Sequence, residues 1–138
     1  MNVLSIDKYY LKELAEIAKV SLPAEGCAIL LGKIEPINNY TVKKIMIMNN
    51  IVKAHDYFEI NPSNLLEVYI KTQAMNLDVV AIFHSHPSIA YPSKTDIIFM
   101  EINPVIWLIY STTECIFKAF ILNEEKKIIE VLIREVKA

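Results

Sequence analysis

Apolar positions along the chain fall into two spacings, one of helices and one of strands. Behind Asp7, which can cap a helix, Leu11, Leu14, Ala15 and Ala18 recur at i, i+3, i+4 and i+7 and predict a first helix ended near Pro23. "EGCAILLGKI", Glu25 to Ile34, is a short apolar run suited to a buried strand, and "EPINN" is a turn. "YTVKKIMIMNN" reads as a further strand, with partial alternation at Ile45, Ile47 and Met46, Met48. Asn61-Pro62 is an N-cap followed by proline at the first helical position. Leu65, Val68, Tyr69 and Thr72 mark the face of that helix, and Asn76 closes it. Leu77 to Phe83 predicts a second buried strand, and Ser93 starts a short helix to about Ile102. After Pro104, "VIWLIYS", "ECIFKAFIL" and, past the charged turn "NEEKK", "IIEVLIREV" read as three strands, the last open to a helical reading as well. There is no repeat, linker or low-complexity tract. The pattern predicts one domain over residues 1–138, a mixed sheet with helices packed on it.

Composition narrows the function classes. At 138 residues and 54% hydrophobic content, the chain is long and apolar enough to build its own core. Its longest apolar runs, such as Val105 to Tyr110, fall far short of the ~20 residues a bilayer span needs. No charged-then-apolar leader opens it, so we expect a soluble cytoplasmic protein with no membrane partner. The net charge of −2, with acids and bases intermixed, offers no basic stripe for nucleic acid. Two glycines leave no phosphate-cradling loop. Cys27 and Cys115 both sit in apolar segments and read as reduced core cysteines rather than a disulfide framework.

The chemistry concentrates in "FHSHPSIAYPSKTD", Phe83 to Asp96. Residues i and i+2 of a strand share a face, so His84 and His86 present two imidazoles together at a strand end. A tight loop can bring Asp96, in the first turn of the next helix, back beside them. Two histidines and a carboxylate make three ligands of a tetrahedral Zn2+, leaving an open position for one bound water, whose pKa the ion would lower towards about 7. A hydrolytic site also needs a carboxylate to move protons, and Glu25 at the start of a buried strand is the candidate. Ser93 can donate to the oxyanion of an attacked carbonyl. Each feature alone has a plainer reading. His-x-His can be structural, Ser93 to Asp96 can be only a capping box, and Glu25 only a loop carboxylate past Pro23. Capping and metal binding are compatible, because a cap can hold Asp96 where a metal needs it.

Together these residues resemble the JAMM motif of the MPN-plus metalloproteases: an upstream Glu, His-Ser/Thr-His-Pro, a short loop, then Ser-x-x-Asp. Here it reads Glu25, His84-Ser85-His86-Pro87, "SIAYP", Ser93-Lys94-Thr95-Asp96, and the likeness extends over roughly residues 5 to 123. The resemblance implies a single JAMM/MPN-plus domain with the α/β fold of a cytidine-deaminase-like α/β/α sandwich. It implies zinc on His84, His86 and Asp96, Glu25 as general acid/base, and Ser93 orienting or stabilising the oxyanion. It also implies cleavage after the C-terminal Gly-Gly of a ubiquitin-like modifier or sulfur-carrier protein, as in small prokaryotic members. Such a tail could add as a strand at a sheet edge, with Asn49 to Phe58 as a possible flank and His55 within it a plain surface residue. The six residues from Pro87 to Pro92 are one fewer than the family's usual seven, which bears on the loop's path more than on the ligands.

Two other readings stand beside the isopeptidase. An MPN-type scaffold without activity would lack some ligands, and this chain lacks none. A DNA-repair accessory of a related type is disfavoured by the acidic balance. Cytidine deamination would need a Cys-x-x-Cys pair, which is not present. A homodimer is compatible with the sequence.

Overall fold

A computed structural model of the chain describes residues 1–51 and 58–137. The helices start where local chemistry says they should. Asp7 Oδ1 accepts the Tyr9 N–H at 2.7 Å and caps α1 (Lys8–Ser21), and Asn61 Oδ1 accepts the Ser63 N–H at 2.9 Å ahead of α2 (Pro62–Ala74). Ser93 caps α3 (Lys94–Ile102). Asn76, just past α2, takes a left-handed φ of 56°, as a closing Asn can. Among the described residues no helix is long and apolar enough to cross a membrane.

The strands are β1 (Val3–Asp7), β2 (Cys27–Glu35), β3 (Asn39–Met48), β4 (Asp78–His86), β5 (Ile106–Ser111), β6 (Ile116–Leu122) and β7 (Ile128–Val136). They form a closed barrel in the order β1-β3-β2-β4-β5-β6-β7. This corrects the expected α/β/α sandwich. The element responsible is β1, which the sequence pattern did not announce. It pairs in parallel with β3 through Val3–Ser5 and with β7 through Val3–Asp7, joining what would otherwise be two open edges. The ambiguous last segment is a strand, antiparallel to β6.

Alternation along the strands divides the core in two. All seven strands feed one cluster, among them Leu4, Leu30, Val42, Phe83, Leu108, Ala119 and Val131. A cluster lined from every strand of a closed barrel is its interior, and Leu11, Leu14 and Ala18 of α1 pack into it. The opposite faces of β2, β4, β5 and β6 carry Cys27, Ile29, Ile82, Trp107, Ile109 and Phe120, covered by Val68 of α2, Met100 of α3 and Phe58. Gly32 sits at a register shift where β2 and β3 come very close. A Cβ there would lie 1.8 Å from the Thr41 carbonyl oxygen, so no side chain fits.

Both cysteines are free, but only Cys27 is a core residue. Cys115 is exposed, because the turn between β5 and β6 places it at a left-handed φ of 57° with its side chain outward, a correction to the expectation for that position. Burial, reinforced by the nearby Glu25 charge, pushes the Cys27 thiol up to about 12. A thiol reagent should therefore titrate one sulfur, Cys115, in the native protein and both after unfolding. Reaction of Cys27 at the native rate of Cys115 would contradict this packing.

Candidate metal centre

β4 is the central strand of the site, antiparallel to β2 and parallel to β5. The β2 ladder ends at the Cys27–His84 pair, whereas the β5 ladder continues to His86–Ser111. Ser85 and His86 thus overhang β2, and the segment leading into β2 fills the gap. There the Ser85 N–H donates to the Gly26 carbonyl at 3.0 Å and the Gly26 N–H donates to Ser85 Oγ at 2.8 Å. Glu25 lies just before this contact, two residues ahead of the strand's observed start, and is 2% exposed.

Four of the five residues singled out in the sequence meet at this end. His84, His86, Asp96 and Glu25 are all between 0 and 5% exposed. The two Nε2 atoms of His84 and His86 are 2.9 Å apart, and Asp96 Oδ2 is 3.1 Å from each. Glu25 Oε2 is 3.8 Å from His86 Nε2. Glu25, His84 and His86 each place a donor atom within 4.8 Å of the others. The fifth residue, Ser93, stands one step back. Its Oγ accepts the Asp96 N–H at 3.1 Å and its own N–H donates to Asp96 Oδ2 at 2.8 Å, a complete capping box. One oxygen atom, Asp96 Oδ2, thus closes the helix cap and faces both histidines.

The donor set suits a small divalent ion. A tetrahedral zinc with ligands at 2.0–2.1 Å separates them by about 3.3 Å, and the observed triangle has sides of 2.9, 3.1 and 3.1 Å. His86 Nδ1 lies 3.2 Å from the Ile89 carbonyl oxygen, so the neutral ring keeps its hydrogen on Nδ1 and turns a lone pair inward from Nε2. His84 Nδ1 is buried with no hydrogen-bond partner among the described residues. Lone pairs converging at such short range are relieved by a shared cation.

The electrostatics point the same way. Burial pushes the His84 pKa down, and the Asp96 carboxylate only partly offsets this, so the ring is neutral and available as a ligand. Burial also opposes charge on His86, but its hydrogen bond to Asp96, with the Asp96 and Glu25 charges and the Ile89 carbonyl, raises it overall. Burial would raise the Asp96 pKa, yet His84, His86 and the Ser93 N–H outweigh it and hold the carboxyl well below the usual range. Asp96 is thus a carboxylate facing the two imidazoles.

Other groups frame the site without having stood out in the sequence. Phe58 stacks on the His84 ring at 4.6 Å, and Trp107 meets it edge-on at 5.6 Å. The Asn50 Nδ2 donates to the Glu25 carbonyl at 2.8 Å, and Asn50 Oδ1 accepts the Glu59 N–H at 2.9 Å. Thr112 donates to the His86 carbonyl through its N–H at 2.9 Å. The short loop after His86 is pinned by the buried Ala90 and by Tyr91, whose ring packs edge-on against Phe120 at 5.2 Å. Most of the suggested flank from Asn49 to Phe58, His55 included, lies outside the described residues.

Residues 7–121 match the sequence pattern of Prok-JAB, the prokaryotic homologs of the JAB domain. The chain belongs to the Prok-JAB family. The resemblance read from the motif is borne out. This Prok-JAB chain is 36% identical over 135 residues to the desampylase of Pyrococcus furiosus, covering 96% of the chain and 90% of that protein. Its fold is shared with a Desulfitobacterium hafniense protein of known solution structure, at a TM-score of 0.84 and 23% identity over 98% of this chain and 94% of that one. A Salinibacter ruber protein superposes at a TM-score of 0.70 with 20% identity, over 99% and 92% of the two chains.

Proposed function

We propose that the chain is a zinc-dependent isopeptidase or peptidase that hydrolyses the bond after the C-terminal Gly-Gly of a ubiquitin-like modifier or sulfur-carrier protein. The observation that carries this reading is the single Asp96 oxygen 3.1 Å from both histidine Nε2 atoms, with the Glu25 carboxylate beside them. Family membership and the desampylase relative support the chemistry and the substrate class.

In this reading His84, His86 and Asp96 hold the metal, which when bound acts as a Lewis acid and lowers the pKa of water. Glu25, 3.8 Å from His86 Nε2, acts in this reading as the general acid/base and not as a fourth protein ligand. Its carboxylate accepts a proton from the attacking water and delivers it to the departing lysine or backbone amine, so that the tail leaves as a free carboxylate. Ser93 Oγ accepts the Asp96 N–H with one lone pair, and in this reading its hydroxyl hydrogen donates to the developing oxyanion. Buried surroundings, Phe58 and Trp107 above all, strengthen each of these interactions by excluding water.

Closure of the barrel restricts where an extended tail can add. β3 pairs with β1 only through Asn39–Thr41 but with β2 as far as Met48, opposite Cys27 and hence level with His84. The stretch from Lys43 to Met48 therefore has one side outside the barrel ladder, with the Tyr10 hydroxyl bonded to the Lys43 carbonyl at its start. A Gly-Gly tail bound there by main-chain hydrogen bonds would run toward the metal ligands. Residues 1–138 act in this reading as a single cytoplasmic JAMM/MPN-plus domain.

Metal content by elemental analysis and cleavage of a Gly-Gly-tailed ubiquitin-like fusion, with and without chelator, test this on one preparation. The expected result is about one zinc per chain and cleavage that chelator abolishes and added zinc restores. Zinc without cleavage of any such fusion would favour the scaffold. No zinc under metal-replete conditions would overturn the metal centre.

A further inference from the structure

We propose that Ser85 and Asn50 are positioning residues that clamp one peptide plane, Glu25–Gly26, and so hold the Glu25 carboxylate beside the histidines. This rests on the reading of Glu25 as the general acid/base. The two groups of that plane point in opposite directions, as in any trans peptide. Its carbonyl, belonging to Glu25, accepts from Asn50 Nδ2 at 2.8 Å. Its N–H, belonging to Gly26, donates to Ser85 Oγ at 2.8 Å. Two side chains from different parts of the fold thus grip a single rigid unit from both ends.

The clamp answers a weakness that the fold itself creates. Gly26 passes so close to α1 that a Cβ would lie 3.1 Å from Ile17 Cγ2, 3.1 Å from Ser21 Oγ and 3.2 Å from the Ile17 carbonyl. A side chain here would fit only if Ile17 and Ser21 gave way by a few tenths of an ångström. Glycine is also the residue that least resists rotation of the plane before it. The carbonyl held by Asn50 and the Glu25 side chain share one Cα, so loss of these bonds would let that Cα drift and carry the carboxylate away from the histidines. Ser85 is suited to the task because it faces away from His84 and His86 on the same strand, so its hydroxyl can reach Gly26 without entering the metal site. Asn50 adds a second tie: through the Glu59 N–H it joins the clamp to the chain beside Phe58, which stacks on His84.

The test measures kcat, KM and metal content for Ser85→Ala, Asn50→Ala, the double variant and Glu25→Gln, each well below its melting temperature. A displacement of about 1 Å can cost around a hundredfold in rate, so each single variant should lose roughly tenfold to a hundredfold in kcat with KM and metal content unchanged. Because both residues hold the same plane, the double variant should fall little below the weaker single, whereas independent structural losses would multiply. Asn50→Asp keeps the acceptor for the Glu59 N–H but turns the donor into an anionic oxygen facing the Glu25 carbonyl, so it should lose at least as much rate as Asn50→Ala. Ser85→Thr retains the hydroxyl and should recover most of the rate. Asn50 is half-buried at the surface, which keeps the proposal testable if Ser85→Ala folds poorly. Wild-type kcat in both single variants, with Glu25→Gln inactive, would overturn the clamp and leave the role of Glu25 intact. Losses that multiply, or that track metal content, would also overturn it. Full turnover in Glu25→Gln would remove the acid/base reading itself.

Discussion

Glu25→Gln should keep its metal and lose on the order of 10²–10⁴ in kcat, the usual contribution of a positioned general acid/base. The substitution changes one oxygen to an amide nitrogen and nothing in size. Glu25 is 2% exposed and its backbone carbonyl is held by Asn50, so the amide occupies the same space on the same backbone. What disappears is the capacity to accept a proton. The 3.8 Å separation from His86 Nε2 leaves the three closest donor atoms, on His84, His86 and Asp96, untouched, and metal content should stay near wild type. An amide is also easier to bury than a carboxylate, so the melting temperature should hold or rise. Elemental analysis, melting and turnover on one preparation check all three expectations. Full activity with metal retained would sink the role of Glu25.

His84→Ala should fail in a different pattern, losing metal, turnover and part of the fold's stability at once. The ring is fully buried, stacked on Phe58 and edge-on to Trp107, and its removal opens a cavity costing on the order of 2–4 kcal/mol. It also deprives Asp96 of one of two histidine partners. The decisive readout is the response to chelator. A protein whose native state alone binds zinc gains about 2.7 kcal/mol at a hundredfold excess over Kd, so the wild-type melting temperature should fall when zinc is stripped. His84→Ala should melt at the same temperature with and without chelator. A variant that still shifts with zinc would place the metal elsewhere.

What the sequence made legible was local. His84 and His86 follow from the period of a strand, and Asp96 from a capping box only four residues long, Ser93 to Asp96. The helix caps at Asp7, Asn61 and Ser93 are likewise written in neighbouring residues. The closure of the barrel was not. β1 is five residues, Val3 to Asp7, too short for alternation to declare itself, and its partners lie far along the chain in β3 and β7. Without it the same strands read as an open sheet between helices. Cys115 misled for a related reason, since apolar neighbours say nothing of a turn that points one side chain outward. The contacts that frame Glu25 were equally hidden: Gly26 meets Ser85 across 59 residues and Asn50 reaches Glu25 across 25. Of the site, the motif could be read in advance, and the scaffolding that aims it could not.

Asp96 Oδ2 belongs to two structures at once, the first turn of α3 and the histidine cluster. The helix start is therefore part of the site's own machinery rather than a neighbour to it. Anything that frays the first turn of α3 also moves the Asp96 carboxylate away from His84 and His86, even when it touches none of the three. Changes in the loop from Pro87 to Pro92 have to keep the Ile89 carbonyl on His86, Ala90 buried and Tyr91 against Phe120. The boundary at Ser93 is where such remodelling has to stop.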